Sequence, residues 1–270
     1  MSDLIAGETL ALIHDAGVLA NERVSDGVYR LILYAPDIVR AARPGQFVHL
    51  KLSHSTDPLL RRPFGIYGAD LAAGTLEILY QVVGRGTKLL AGDRLGPVLS
   101  VLGPLGRGFT VPAPAAPVAV VAGGLGIAPL CFLLDELGAA GQDGVLFQGA
   151  RTSDLILAGE RVARTGFDRK TATDDGSAGF HGSVVELAAG ELRRGRFSYV
   201  YAAGPALMLK ALCKVMREAG VEGEVSLEQR MGCGVGACMC CSAAVHGYPR
   251  KYARVCADGP VFPAGEVVWE

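Results

Sequence analysis

Residues 118–129 read VAVVAGGLGIAP, which predicts a strand, a glycine turn and the start of a helix. The apolar run before the glycines is continuous rather than alternating, as in a parallel strand that is covered on both faces. Ile127, Leu130, Leu134 and Leu137 then recur at helical spacing. Because such a turn directs backbone amides and a helix N-terminus at a phosphate, the stretch predicts a nucleotide-binding α/β domain.

The turn departs from the common dinucleotide fingerprint G-x-G-x-x-G. Pro129 occupies the third glycine position, and no acidic residue ends the next predicted strand, residues 145–149. A second strand–turn–helix unit follows at residues 198–219, with Gly204 and Pro205 in its turn. We therefore expect a Rossmann-like parallel sheet with an unusual nucleotide loop.

Upstream of this unit, the sequence predicts an all-β domain. Short strands are predicted at residues 28–34, 46–52 and 76–83, and no long helical pattern interrupts them. This favours an antiparallel barrel. The proline-rich residues 111–117 (VPAPAAP) are the predicted connector to the α/β domain.

Downstream, a cysteine-rich loop begins at residue 233. Four cysteines follow the pattern C-x4-C-x2-C…C, the plant-type spacing of ligands to a [2Fe–2S] cluster. These predicted ligands are Cys233, Cys238, Cys241 and Cys256. Gly234 and Gly236 give the loop the backbone freedom to wrap around sulfur. A structural zinc is the alternative, although only Cys238 and Cys241 form the C-x2-C pair typical of zinc knuckles.

Composition bounds the class of protein. The chain has 270 residues, a formal net charge of −1 and 50% hydrophobic residues. The length suits two domains and a small appendage. The near-neutral charge argues against a nucleic acid or an anionic membrane surface as partner. No apolar run approaches the roughly 20 residues that span a bilayer. Residues 1–9 lack the basic region of a secretory signal, so we expect a cytoplasmic location.

The cysteine count supports metal or redox chemistry. In the cytoplasm, 7 cysteines point to such chemistry rather than to cross-links. A disulfide framework is disfavoured because the chain is far larger than a disulfide-stapled mini-domain. The predicted organisation is multidomain β plus α/β. It comprises a β-barrel at 1–112, an α/β domain at 113–224 and a small cluster domain at 225–270.

Two segments of the predicted barrel carry residues suited to a pyrophosphate. Residues 60–66 contain an arginine pair, and residues 84–87 read Gly-Arg-Gly-Thr. Guanidinium groups supply charge, while amides and a hydroxyl supply further donors. Each segment is also compatible with a plain structural role, the first as a solvated corner and the second as a hairpin turn.

Taken together, Arg62-Pro63-Phe64-Gly65 and Gly86-Thr87 resemble the flavin domain of the ferredoxin–NADP reductase superfamily. In that superfamily the arginine binds the FAD pyrophosphate, and a Ser or Thr near the flavin ring stands where this chain has Gly65. By this resemblance the residues that bind FAD are Arg62, Pro63, Phe64, Gly65, Leu79, Tyr80, Gln81, Gly86 and Thr87.

The glycine turn resembles the Gly-Gly-x-Gly-x-x-Pro loop of the NAD(P) domain of the same superfamily. The later turn resembles its Cys-Gly-Pro motif, with Ala203 in place of the cysteine. By this resemblance the residues that bind NAD are Gly124, Gly126, Pro129, Gly204 and Pro205. The sequence does not distinguish NAD from NADP.

From about Gly17 to its end, the chain resembles the family of electron-transfer subunits of bacterial type B dihydroorotate dehydrogenase. The cysteine loop and the segment from Cys256 to Phe262 (CADGPVF) carry this resemblance. It implies FAD, a [2Fe–2S] cluster and NAD as cofactors. It also implies a partner catalytic subunit that contains FMN, a heterotetramer, and electron transfer from that FMN through the cluster and FAD to NAD+ in pyrimidine biosynthesis. No catalytic residue for dihydroorotate oxidation is expected in this chain.

Two other functions remain open at this point. One is an NAD(P)H-dependent reductase subunit that serves a ferredoxin, a hydrogenase, a sulfite reductase or an oxygenase. The other is a zinc-bearing regulatory or scaffold protein without flavin, which Gly65 and Ala203 would favour because they depart from the superfamily pattern.

Overall fold

The computed structural model describes residues 12–52, 56–92, 95–111 and 116–269. The chain folds into a β-barrel, an α/β sheet and a small cysteine-containing unit, in this order. Part of the predicted connector, residues 112–115, lies outside the described residues, and with it the predicted boundary at 112. On the barrel side, the backbone amide and hydroxyl of Thr110 bond to Glu224, a buried residue of the α/β sheet.

The N-terminal sheet has 7 strands, all paired antiparallel, in the order β4-β3-β7-β1-β2-β6-β5. The strands are β1 (Leu12–Ser25), β2 (Val28–Tyr34), β3 (Phe47–Lys51), β4 (Arg62–Gly65), β5 (Gly68–Asp70), β6 (Thr75–Gln81) and β7 (Val98–Leu105). The edge strands β4 and β5 are joined through Ile66 and Tyr67 alone, so the chain itself closes the sheet into the predicted barrel.

Two predicted loops of the barrel are regular structure. Arg62–Gly65, predicted as a loop, is strand β4, because it pairs with β3. The predicted Gly-Arg-Gly-Thr turn opens a helix, α2 (Arg85–Leu90), and another short helix, α1 (Pro36–Ala41), follows β2. Both helices have only 6 residues, too few for a clear helical period in the sequence.

The second sheet is parallel over most of its width. Its strands are β8 (Val118–Gly123), β9 (Gly144–Ala150), β10 (Asp168–Thr173), β11 (Phe180–His181), β12 (Tyr199–Ala203) and β13 (Glu222–Ser226). The order is β11-β10-β9-β8-β12-β13. The central strand β8 is buried along its whole length, as its continuous apolar run predicts.

Among the described residues, four α-helices belong to the α/β domain. They are α3 (Ile127–Ala139), α4 (Gly159–Ala163), α5 (Val184–Leu192) and α6 (Ala206–Ala219). The start of α5 is fixed by a reciprocal capping box between Ser183 and Glu186. Gly220 ends α6 with a φ of 66°, a conformation that glycine adopts without strain. None of the helices in the described part of the chain is long and apolar enough to cross a membrane.

Helix α3 is buried on more than the one face that its leucine spacing predicts. Leu130 and Leu134 belong to a core that also contains Leu79 of β6, while Phe132 belongs to the barrel core. The helix therefore packs against both the sheet and the barrel, and it fixes the two relative to each other.

The C-terminal unit is small and shares its core with the α/β sheet. It contains the hairpin β14 (Ser242–Ala244) and β15 (Tyr252–Arg254), followed by β16 (Val261–Pro263). Strand β16 pairs antiparallel with β13 and so becomes the last strand of the α/β sheet. Strand β13 itself runs across the predicted boundary at residue 224. The domain boundaries stay a prediction.

Candidate functional site

A cavity of about 690 Å³ lies where the barrel meets the α/β sheet. All the residues predicted to bind FAD line it, from β4, the end of β6 and the start of α2. Leu125, Ala128 and Pro129 close it from the α/β side, and residues 226–229 close it from the end of β13 and the segment that follows. An elongated ligand in this cavity would touch both domains.

Arg62 and Gly86 pack together at one end of this cavity. A Cβ at Gly86 would lie 3.1 Å from the Arg62 Nε, so glycine leaves room for the guanidinium. The Arg62 Nη1 donates to the Leu60 carbonyl at 2.6 Å. These contacts fix a cation on the cavity wall, as anion binding requires.

Thr87 has a structural task that the sequence did not reveal. Its hydroxyl accepts hydrogen bonds from the Val83 and Gly84 amides, at 2.9 and 3.1 Å. It can donate to the Gly84 carbonyl at 3.1 Å. The hydroxyl therefore caps α2, and its hydrogen-bonding capacity is largely used within the protein.

Tyr80 lines the cavity but points its hydroxyl into the barrel. The hydroxyl donates to Asn21 Oδ1 at 3.1 Å, and the ring packs edge-on against Phe64 with centroids 5.8 Å apart. Burial raises the pKa of Tyr80 to about 12. Tyr80 thus supplies a rigid, uncharged wall rather than an acid.

A second cavity, of about 450 Å³, lies at the carboxyl ends of the parallel strands. Gly124, Gly126, Gly204 and Pro205 line it, at the turns after β8 and β12. Ligands of open α/β sheets bind at this edge. The fifth residue of the predicted set, Pro129, lies apart from these four. It lines the first cavity and faces Gly65, where a Cβ would be 3.5 Å from the proline ring.

The two turns of the second cavity are in close contact. A Cβ at Gly126 would overlap the Ala203 carbonyl and lie 2.7 Å from the Gly204 amide nitrogen. Gly204 has a φ of 155°, which side-chain-bearing residues rarely adopt. Glycine is therefore required at both positions for the turns to approach each other.

Glu228 is a site residue that the sequence reasoning missed. With Gln81 and Leu125 it lines both cavities, so the two cavities meet at this carboxylate. Its side chain is open to the cleft, yet desolvation by the surrounding protein raises its pKa. An acidic residue two positions after an α/β strand was the only signal in the sequence.

The four predicted cluster ligands form two pairs. The Cys238 amide donates to Cys233 Sγ at 3.4 Å near the surface, and the Cys256 amide donates to Cys241 Sγ at 3.4 Å in the core. The Gly236 amide donates to Cys256 Sγ at 3.2 Å and so joins the fourth cysteine to the loop. Two thiol pairs suit a cluster with two irons, each of which takes two protein ligands.

Backbone amides of the loop point at sulfur. Cys233 Sγ accepts from the Ala237 and Cys238 amides at 3.3 and 3.4 Å. Burial opposes a negative charge on Cys233, but hydrogen bonds from the Cys238, Val235 and Ala237 amides and from the Cys238 side chain outweigh it and lower the pKa of the thiol to about 6. Burial, and then the bond to Cys241, raise the pKa of Cys256 to about 12. The donor set of thiols and sulfur-directed amides fits an iron–sulfur cluster.

An ion pair between Arg254 and Asp258 stabilises the cysteine loop. The Arg254 Nη2 and Nε bond to the two carboxylate oxygens of Asp258, at 2.8 and 2.9 Å. The Arg254 Nη1 donates to the Gly236 carbonyl at 3.2 Å.

The remaining cysteines lie outside the predicted ligand set. Cys240, outside the ligand spacing, is exposed. Cys131 and Cys213 are buried in helices and belong to the core.

Comparisons with known proteins agree with this geometry. The family model for the iron–sulfur cluster binding domain of dihydroorotate dehydrogenase B matches residues 228–268. A Desulforamulus reducens protein named dihydroorotate dehydrogenase B (NAD(+)), electron transfer subunit, is 44% identical over 97% of this chain and 100% of its own. A solved NADH-dependent reduced ferredoxin–NADP oxidoreductase, described in connection with flavin-based electron bifurcation, is 30% identical, with a TM-score of 0.82 over 98% of this chain and 92% of its own.

A more distant structure supports the fold alone. A ferredoxin NADP+ reductase from Neisseria gonorrhoeae, solved with bound FAD and NADP, is 16% identical. Its TM-score is 0.64, and the match covers 81% of this chain and 94% of that one. Barrel and parallel sheet are thus arranged as in ferredoxin–NADP reductases.

The chain contains a β-barrel, then a parallel α/β sheet, then a cysteine loop. This order defines an oxidoreductase of the ferredoxin–NADP reductase type with an added iron–sulfur domain. Within that class, the chain belongs to the family of dihydroorotate dehydrogenase B electron transfer subunits. This confirms the predicted fold class and the predicted NAD-linked flavin and iron–sulfur oxidoreductase subunit. An electron transfer subunit implies a catalytic subunit as its partner.

Proposed function

We propose that this chain carries electrons from the FMN of a dihydroorotate dehydrogenase catalytic subunit, by way of a [2Fe–2S] cluster and FAD, to NAD+ in pyrimidine biosynthesis. When bound, the FAD would connect one-electron transfer at the cluster with two-electron transfer at the nicotinamide. The chain supplies binding, orientation and exclusion of water.

The observation that carries this proposal is the meeting of the two cavities. Gln81, Leu125 and Glu228 line both of them, so a flavin in the first and a nicotinamide in the second would lie against the same side chains. The segment that holds Glu228 leads directly into the cysteine loop at Cys233. All three predicted cofactor sites therefore converge on residues 226–233.

In this proposal the residues that line the first cavity hold FAD. Arg62 is the cation for the pyrophosphate, and Phe64 and the Tyr80 ring form the wall beside it. Gly65 packs against Pro129 and so offers its backbone where relatives carry a hydroxyl. The remaining members of the set are Pro63, Leu79, Gln81, Gly86 and Thr87.

Gly124, Gly126, Gly204 and Pro205 hold NAD at the carboxyl edge of the sheet, and Pro129, on the wall of the first cavity, completes this set on the side of the flavin. Cys233 and Cys238 bind one iron of the cluster, while Cys241 and Cys256 bind the other. We further propose the predicted domains, a cytoplasmic location and a heterotetramer with the FMN-containing subunit.

A second candidate function is a reductase subunit that serves a ferredoxin. The 30% identity to the reduced ferredoxin–NADP oxidoreductase favours it. The two candidates share every cofactor site in this chain and differ only in the partner that exchanges electrons with the cluster.

A spectroscopic experiment tests the proposal. The chain is purified anaerobically, and its visible spectrum is recorded before and after NADH. We expect flavin bands and a broad absorbance at longer wavelength, both bleached by NADH. The cognate catalytic subunit and dihydroorotate should produce the same bleaching without NADH.

Each other outcome has a distinct meaning. Bleaching by NADH but not by the catalytic subunit with dihydroorotate, while reduced ferredoxin does bleach the bands, would favour the second candidate. A colourless protein that contains zinc, isolated without loss of cofactor, would refute both.

A further inference from the structure

His49 lies in the barrel wall with its imidazole unsatisfied. Its side chain is 0% exposed, and neither Nδ1 nor Nε2 has a hydrogen-bond partner in the described part of the chain. A neutral imidazole carries one N–H donor and one acceptor nitrogen. Leaving a buried donor without a partner costs about 1–3 kcal/mol. Such a group calls for an explanation, for example a redox role or an ion next to it.

Gly234 places this ring against the cysteine loop. A Cβ at Gly234 would lie 2.7 Å from both Nδ1 and Cε1 of His49, and Gly234 has a φ of 75°. The residue directly follows Cys233. The backbone of Gly234, the residue directly after the first predicted ligand Cys233, therefore lies against the imidazole.

Among the described residues, the neighbours of the ring do not supply the missing acceptor. Phe47 is an aromatic neighbour of the ring, edge-on with centroids 5.7 Å apart. Arg61, the charged neighbour, donates to the His49 carbonyl at 3.3 Å and to Ser100 on β7. A cation cannot accept an N–H, and an aromatic ring accepts one only weakly. A cluster bound by the loop would bring sulfur atoms, which can.

We propose that His49 donates a hydrogen bond to a sulfur atom of the bound cluster and thereby raises its reduction potential. The proposal rests on the proposed function, because it requires a [2Fe–2S] cluster in the cysteine loop. An N–H directed at sulfur stabilises the more negative, reduced cluster, and hydrogen bonds to the sulfurs are among the determinants of such potentials. His49 is thus a residue of the barrel that acts directly on the cluster.

Nitrogen hyperfine coupling tests the contact directly. The full chain, with cofactors bound, is labelled with 15N-histidine, its cluster is reduced, and pulsed electron paramagnetic resonance is recorded. We expect a weak 15N coupling that is lost in His49→Gln. The coupling should persist in His246→Gln, the matched control. His246 lies in the cysteine-containing unit itself, but its side chain is exposed.

A complementary variant leaves His49 untouched. Replacing His14, His54, His181 and His246 by Gln makes His49 the only histidine. The coupling should remain in that chain, and its loss there would overturn the proposal. This arm gives a decision even if His49→Gln fails to fold or to assemble a cluster.

The reduction potential is the second readout. In His49→Phe, which keeps a ring but has no donor, the midpoint potential of the cluster should become more negative. We expect at least a tenfold change in the ratio of oxidised to reduced cluster at a fixed potential, which corresponds to about 59 mV for one electron.

Failure of the inference is distinguishable from failure of the proposed function. Iron and sulfide analysis of the wild-type chain comes first, and absence of a cluster there would refute the proposed function. A cluster without 15N coupling, or with coupling that survives His49→Gln, would refute the role of His49 alone. An unchanged midpoint potential in His49→Phe would refute the effect on potential.

Discussion

Single residues of the cysteine loop divide into those that would bind iron and one that would not. The sulfur atoms of Cys233 and Cys256 accept backbone hydrogen bonds from the loop, whereas Cys240 is exposed and lies outside the ligand spacing. We expect Cys233→Ser to lose the cluster, because a hydroxyl is a poor substitute for a thiolate. Cys240→Ser is the control and should keep it. Iron content and the visible spectrum measure both, and an intact cluster in Cys233→Ser would refute the ligand assignment.

His49 should also make stability depend on pH. Burial, together with the charge of Arg61, lowers its pKa to about 4, against about 6.5 in the unfolded chain. Below pH 6.5 only the unfolded state takes up the proton, so the free energy of unfolding falls as the pH drops toward 4. From pH 7.5 to 5.5 the wild type should lose about 1 kcal/mol more than His49→Gln. Urea unfolding at both pH values measures this, and equal losses would contradict the neutral buried state.

At the scale of elements, the turns after β8 and β12 depend on their glycines. A Cβ at Gly126 would collide with the backbone of Ala203 and Gly204, so Gly126→Ala should push the two turns apart. We expect NAD+ binding to weaken at least tenfold, about 1.4 kcal/mol. Calorimetric titration measures this.

The control for this variant is Gly190→Ala in α5, where a Cβ would have open space. It should leave NAD+ binding unchanged and stabilise the helix by about 0.5–1 kcal/mol. Equal NAD+ affinity in both variants would show that the Gly126 turn does not contact the nucleotide.

Helix α4 is joined to the barrel through Arg161. Its Nη1 bonds to Glu77 of β6 at 2.9 Å, its Nε bonds to Asp135 of α3 at 2.9 Å, and its guanidinium lies 4.4 Å from the centroid of the Tyr67 ring. The Arg161 side chain is only 17% exposed. Its removal leaves two carboxylates without their partner.

We therefore expect Arg161→Met to lower the free energy of unfolding by about 2 kcal/mol. Arg164→Met, at the exposed residue directly after the same helix, should change the free energy of unfolding by less than about 0.5 kcal/mol. Urea unfolding of both variants provides the measurement. Similar values for the two would show that the contacts of Arg161 do not stabilise the junction between barrel and sheet.

At the scale of the whole molecule, the C-terminal unit is part of the α/β core. Strand β16 completes the sheet beside β13, and Val245, Val255 and Phe262 share one apolar cluster with Val225. Deleting residues 228–270 should therefore destabilise the α/β sheet instead of leaving an intact flavin reductase. Thermal unfolding followed by circular dichroism tests this. A truncated chain that melts as high as the full chain would contradict the shared core.

Local patterns predicted much of this architecture. The helix predicted at residues 206–219 and the strand predicted at 28–34 have those bounds in the structure, and the apolar run 118–122 lies within the buried strand β8. Each depends on residues a few positions apart, where periodicity and turn chemistry are encoded. The segments Arg62–Gly65 and Arg85–Leu90 were missed as a strand and a helix. The first becomes a strand only by pairing with β3, and the second is too short for a period.

The sequence by itself determined the order of barrel, α/β sheet and cysteine loop, together with the spacing of the four cysteines. Order and spacing are written in the covalent chain, and strand, turn and helix patterns depend on residues only a few positions apart. Only the tertiary structure decided that Pro129 faces Gly65, that Glu228 lies between the two cavities and that His49 lies against Gly234. Such contacts join residues far apart in the chain, and they exist only once barrel, sheet and loop have packed together.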